Sequence, residues 1–255
     1  MSIQMAYDMV YVVVNGVLAV IAVSLSIVIA AKFFLAYNEH KRKELFLIAF
    51  VAILMSEAWM PVAISFIYYM FTYTLLPAHA YFFIGYTFLP VGIFIWLIIF
   101  TNLIIKNRQK VILLLYAFYI VFYEILLFLF LLTDPSQIGE IKSPVDSSLT
   151  LIFNLNAFGW VAVILTTGII FARESLQSSD PIIRLKGKLL LFGFITWSVA
   201  AIFDGFANTI ITLFIVRVVL MASVIALYGG FILPEWMRKL VNKMRSILNL
   251  EPIEK

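Results

Sequence analysis

Four ionisable side chains interrupt stretches that are otherwise apolar: Glu57, Glu124, Asp204 and Arg217. The clearest case is GFANTIITLFIVRVVLMASVIALYGGF, residues 205–231, where Arg217 is the one charged residue. A guanidinium stays protonated in proteins. Near the centre of a membrane-spanning helix an uncompensated charge costs from about 3 to about 15 kcal/mol, so Arg217 requires a carboxylate or a ligand oxygen beside it, or a route for its side chain to the surface. Carboxylates in the same surroundings do one of two jobs: they neutralise such a cation, or they carry protons for coupled transport. At 1.5 Å per residue, Glu57, Glu124 and Arg217 lie about 18, 20 and 22 Å from the nearest basic helix end. That shared level permits Arg217 to pair with Glu57 or Glu124, with Asp204 about two turns nearer the opposite surface.

The elements that must position these charges are apolar helices. Of 255 residues, 64% are hydrophobic and 13% charged, about half the charged share of a soluble domain, and mean hydropathy is +1.07. Seven apolar runs, at about 9–36, 45–74, 81–105, 111–133, 148–172, 189–207 and 209–233, each reach or approach the roughly 20 residues that cross a hydrocarbon core. The predicted fold is an all-α, polytopic bundle of seven transmembrane helices over residues 1–233. The first run is too long for a signal-peptide core and has no basic residue before it, so it is expected to remain as the first helix. Residues 234–255 form a separate unit. Pro234 can start a helix there, and Trp236, Met237, Leu240, Val241, Met244, Ile247 and Leu248 recur at three- and four-residue spacing among basic residues, which predicts a short amphipathic helix on the inner leaflet.

Helical periodicity sorts the polar residues by face. In the second run Glu57, Pro61, Ser65, Tyr68 and Thr72 share a stripe expected to line the interior. The first run offers Asn15, Ala19, Ala22 and Ser26; the sixth offers Gly193, Trp197, Ala201 and Asp204; the fifth offers Asn156, Trp160 and Thr167. Small and polar residues at this spacing mark helix contacts or cavity walls, because lipid offers neither close packing nor hydrogen bonds. Arg217 lies off the Thr212 and Ser223 stripe of its own helix, which leaves snorkelling or a sideways reach to Asp204 open. The candidate polar core is therefore Asn15, Glu57, Glu124, Asn156, Trp160, Trp197, Asp204 and Arg217.

Sixteen of the 18 Lys and Arg residues fall at the odd-numbered junctions and after the last run; only Lys142 lies on the other side, and Arg217 lies within a run. Positive charge near helix ends stays in the cytoplasm, so the expected topology is a multi-pass cell membrane protein with the N-terminus outside and the C-terminus inside. The net charge of +4 then reflects topology, and no nucleic-acid partner is implied, since the basic residues are divided among four short segments. The loop TDPSQIGEIKSPVDSS after residue 132 is rich in turn formers and is placed to cap the outer mouth.

Several chemistries are excluded. Cysteine is absent, so no disulfide or thiolate metal site exists. His40 and His79 fall on opposite sides and no HExxH spacing occurs, so no metal cofactor is expected. GxSxG, Walker A and GxGxxG are all missing, and no enzyme is expected. The seventh run contains no lysine for a retinal Schiff base, and arginine cannot replace it.

The run FFIGYTFLPVGIFIWLIIFTNLIIKNRQKVILLL and the segment GIIFARESLQSSDPIIRLKGKLLLFGF, with its long basic connection into the sixth helix, resemble the seven-transmembrane N-terminal sensor region of histidine kinases and related stand-alone archaeal and bacterial seven-helix membrane proteins. The resemblance covers residues 1–233. The chain ends at Lys255 without room for a kinase module, so the resemblance implies output through a separate cytoplasmic signalling partner. The expected function is a receptor-like sensor in the lipid bilayer that binds a small, lipophilic ligand. The alternative is a small-solute or proton-coupled transporter using Glu57 and Glu124; broken helices in matching halves would favour it.

Overall fold

A computed structural model describes residues 3–207 and 209–247. Ten α-helices lie among them: α1 (Ile3–His40), α2 (Lys43–Leu54), α3 (Met60–Thr72), α4 (Ala78–Tyr86), α5 (Leu89–Leu103), α6 (Gln109–Thr133), α7 (Leu151–Leu176), α8 (Pro181–Asp204), α9 (Ile210–Phe231) and α10 (Glu235–Ile247). Helices α2 with α3, and α4 with α5, make two continuous but broken rods, so that seven rods are long and apolar enough to cross a membrane. The all-α class is borne out, with one addition: a small antiparallel hairpin, β1 (Gly139–Ser143) and β2 (Asp146–Leu149), between α6 and α7.

Connections on the basic side are short. Lys41 adopts a left-handed conformation and its N–H returns to the Tyr37 carbonyl, closing α1 immediately before α2 begins. The long basic connection expected before the sixth helix is instead mostly helix. Asp180 caps α8 by accepting from the N–H groups of Ile182 and Ile183, and Pro181 occupies its first turn. Both are standard start signals, and they set the helix start at Pro181 rather than near 189, leaving Arg184, Lys186 and Lys188 on its first turns.

The two broken rods meet at their breaks. Pro61 lacks an N–H and its ring crowds the Glu57 carbonyl, so the rod passes through a tight 3₁₀ turn at Glu57–Trp59 before α3. Pro90 does the same to the rod of α4 and α5, freeing the Tyr86 carbonyl, which accepts from the Tyr123 hydroxyl of α6 at 3.3 Å. The Phe88 N–H at that break donates to Glu57 Oε1 at 2.8 Å. Close approach here depends on two glycines. A β-carbon on Gly85 would lie 2.8 Å from Pro61 Cγ, and one on Gly92 would lie 2.8 Å from Leu54 Cβ.

Around this crossing, α1 packs on α2, α3 and α9; α8 packs on α7 and α9; and α5 packs on α2, α6 and α7. The core toward the basic end is aromatic: Trp96 sits 5.1 Å from Phe194, 5.5 Å from Phe171 and 6.3 Å from Phe231, centroid to centroid. The outward faces are apolar as well. On α6, Leu114, Phe118 and Leu132 are 71%, 78% and 84% exposed. Helix α10 shows its Trp236, Leu240 and Ile247 side chains while Met237 turns inward. The expected helix is present through Ile247, while the side chain of Met244, Leu248 and the tail to Lys255 lie outside the described residues.

Candidate functional site

Arg217 is buried, at 2% exposure, on the face of α9 that also buries Leu213 and Leu220. Of the two options left open by periodicity, the sideways reach is the one observed. Its Nε lies 3.4 Å from Asp204 Oδ1, an ion pair whose atoms are not aligned as a hydrogen bond, so both atoms retain unused bonding capacity. Its Nη2 donates to Asn15 Oδ1 at 3.1 Å, while Nη1 has no hydrogen-bond partner among the described residues. Asp204 is held from the other side by the Trp59 indole N–H, which donates to Oδ2 at 2.8 Å. Asn15 in turn donates to the Val145 carbonyl in the hairpin turn at 2.9 Å. One chain of polar contacts thus joins the break in the second rod, the end of α8, the middle of α9, α1 and the hairpin.

The hairpin is part of the packed structure, not merely a set of turns. Val145 and Ile138 are 1% and 0% exposed, and Ser147 donates to the Tyr81 hydroxyl at 3.3 Å. Beneath it lies a cavity of about 590 Å³, whose walls include Tyr11, Asn15, Trp59, Tyr81, Asp204 and Arg217. Among the described residues its charged lining residues number two of each sign: Arg217 and Asp204 in depth, Lys142 and Asp146 in the hairpin. Burial pushes the Asp146 carboxyl above the usual carboxylate range, and the charge of Lys142 opposes that shift.

Met55, Trp59 and Trp197 form the floor. The two indoles meet edge to face at 6.1 Å, and the same three residues roof a second cavity of about 90 Å³ toward the basic end. That lower cavity is apolar in character. Its two serine hydroxyls, on Ser26 and Ser56, donate to carbonyls of their own helices, at Ala22 and Ile53.

The eight residues singled out by sequence therefore divide. Asn15, Trp160, Trp197, Asp204 and Arg217 line the large cavity; Glu57, Glu124 and Asn156 do not. The stripe containing Glu57 turns toward the break in the neighbouring rod. Glu57 is spent on the Phe88 N–H there, its Oε2 unpartnered, and Glu124 lies within electrostatic reach with neither carboxyl oxygen hydrogen-bonded among the described residues. Asn156 accepts from the Tyr119 hydroxyl at 2.8 Å, and the same hydroxyl accepts from Trp160. The α7 amide that faces the cavity is Asn154. Trp59 and Val145 went unnoticed, because a tryptophan in an apolar run or a backbone carbonyl in a turn gives no pattern; Pro61, two residues on, was the available hint.

Comparison with known protein families, with curated proteins and with solved structures finds no match to this chain.

Proposed function

We propose that this protein is a receptor-like seven-span membrane protein that binds a small ligand in the cavity beneath the hairpin and passes the change to a separate cytoplasmic partner. The observation that carries the reading is a cavity of ligand size, about 590 Å³, holding above a tryptophan floor a buried arginine whose Nη1 has no hydrogen-bond partner among the described residues. Most ligand sites are apolar enclosures of this scale with a few convergent polar groups. In the proposed orientation the hairpin and cavity face outward, while the basic helix ends and α10 meet the inner leaflet. The floor supports a coupling route. Trp59 bonds the Asp204 carboxylate above and borders the lower cavity below, so a ligand that draws on the ion pair alters what holds the partition.

A transporter needs a route past that floor, and its usual architecture repeats a broken helix in each half. Breaks here are confined to the second and third rods, and α7, α8 and α9 run unbroken. Below the floor the path meets the small apolar cavity and the Trp96 cluster. This arrangement favours a receptor over alternating access.

Cysteine accessibility tests the reading, and the absence of native cysteine removes any background. In sealed vesicles Ala157→Cys, in the large cavity, should react with an impermeant thiol reagent from the outer side, whereas Ser26→Cys, in the lower one, should stay unmodified from both sides. Reaction of Ser26→Cys from the cytoplasmic side would count for a transport cycle and against the receptor.

A further inference from the structure

The large cavity reaches the flank of the bundle as well as the hairpin. Two large apolar residues of its lining are exposed, Phe158 of α7 at 43% and Phe206, just beyond α8, at 64%. Ile202 of α8 lines the same cavity and is half-buried. These residues put an apolar, exposed part of the lining between α7 and the end of α8. Phe158 is two turns, about 10 Å, along α7 from Leu151. In the proposed orientation that depth falls within hydrocarbon, where loose polar solutes are scarce and acyl chains abundant. Exposed apolar neighbours continue outward from the rim, with Phe203 and Leu155 at 58% and 61%.

Charge decides the other end of the ligand. Among the described residues the lining carries equal numbers of cations and anions, and the deep pair is already neutral as Arg217 with Asp204. An added anion would stand as an uncompensated charge in a desolvated pocket, which is strongly unfavourable. Besides the unaligned Nε and Oδ1, which face each other, the pair lacks an acceptor for Arg217 Nη1, a buried donor without a partner among the described residues. A buried donor left unmade is costly, and a hydroxyl, ester or amide oxygen satisfies it without adding net charge.

We propose that the cavity takes a single-chain amphiphile whose head is oxygen-bearing and net-neutral, either uncharged or zwitterionic, with the head on Arg217 Nη1 and the chain passing out between α7 and α8. The inference rests on the ligand-binding reading above and adds the chemical class and the route of entry. The aromatic walls, among them Tyr86, Trp160 and Trp197, suit the first methylenes of such a chain, and the Phe158 and Phe206 rings its exit.

The test measures equilibrium binding of radiolabelled probes to the purified full chain in nanodiscs. The probes are 1-palmitoylglycerol, 1-palmitoyl-lysophosphatidylcholine, palmitate and the chainless glycerophosphocholine. Expected are saturable, one-to-one binding of at least one of the two net-neutral chain-bearing probes, affinity weaker by about tenfold or more for palmitate, and none for glycerophosphocholine. Binding should fall by a similar factor in Ile202→Trp, which narrows the opening away from the ion pair, and in the double variant Arg217→Met/Asp204→Asn, which removes both charges together. Glycerophosphocholine bound as tightly as its lysolipid would overturn the amphiphile while leaving a ligand cavity in place. Palmitate bound as tightly as 1-palmitoylglycerol would overturn the net-neutral head. No binding by either neutral probe would overturn the inference altogether, and the cysteine accessibilities would still judge the receptor reading separately.

Discussion

Arg217 shows how much a single residue reveals before any coordinates exist. Its type and surroundings require compensation, and the compensation is there, but the partner is Asp204 and not one of the acids at equal depth. Depth counting treats helices as parallel rods and side chains as points; it could not include the reach of a long guanidinium toward the end of the neighbouring helix. Nor does periodicity reveal that Asn15 and Trp59 complete the set from two other rods. The geometry carries a quantitative expectation. Removing one member of a buried pair costs about 3–5 kcal/mol, whereas removing both approaches neutrality. Arg217→Met should destabilise the protein in detergent by that order, discounted somewhat because the Asp204 side chain is 20% exposed. Arg217→Met/Asp204→Asn should recover much of the loss in thermal or chemical unfolding, while pairing Arg217→Met with Glu57→Gln or Glu124→Gln should give additive losses. Recovery by a glutamate variant instead would show that the ion pair has been misassigned.

At the scale of elements, the rods were legible and their interruptions only half so. Hydropathy locates seven runs because burying backbone in an apolar medium demands long helices, and Pro61 and Pro90 are visible as breakers. That the two breaks face each other, with Glu57 capping the Phe88 N–H and Tyr123 serving the Tyr86 carbonyl, depends on which rods are neighbours, and sequence spacing carries no such information. The hairpin went unread for a related reason: turn formers signal a loop, but the burial of Val145 and Ile138 arises from the bundle beneath them. The role assigned to Glu57 is structural and separable from proton transport. Glu57→Gln keeps an acceptor for the Phe88 N–H and should unfold close to wild type, whereas Glu57→Leu leaves that donor bare and should cost about 1–3 kcal/mol. Equal losses in the two variants, followed by denaturant unfolding, would argue that Glu57 does not support the break through this bond.

For the whole molecule, seven helical rods are long and apolar enough to cross a membrane, and the proposed placement sets them across it with the cavity opening away from the cytoplasm. The all-α class and the seven long apolar helices were legible from composition and hydropathy, because both are averages over many residues. The cavity was not, since it depends on where individual side chains leave space. Outward ligand access and inward coupling both depend on this placement, and its most direct test is vectorial labelling of two exposed positions in sealed right-side-out vesicles. Glu140→Cys, in the hairpin, and Ser179→Cys, between α7 and α8, should each be introduced singly and treated with an impermeant maleimide before and after permeabilisation. The account predicts that Glu140→Cys labels at once and Ser179→Cys only after permeabilisation; the reverse order, or immediate labelling at both positions, would contradict it.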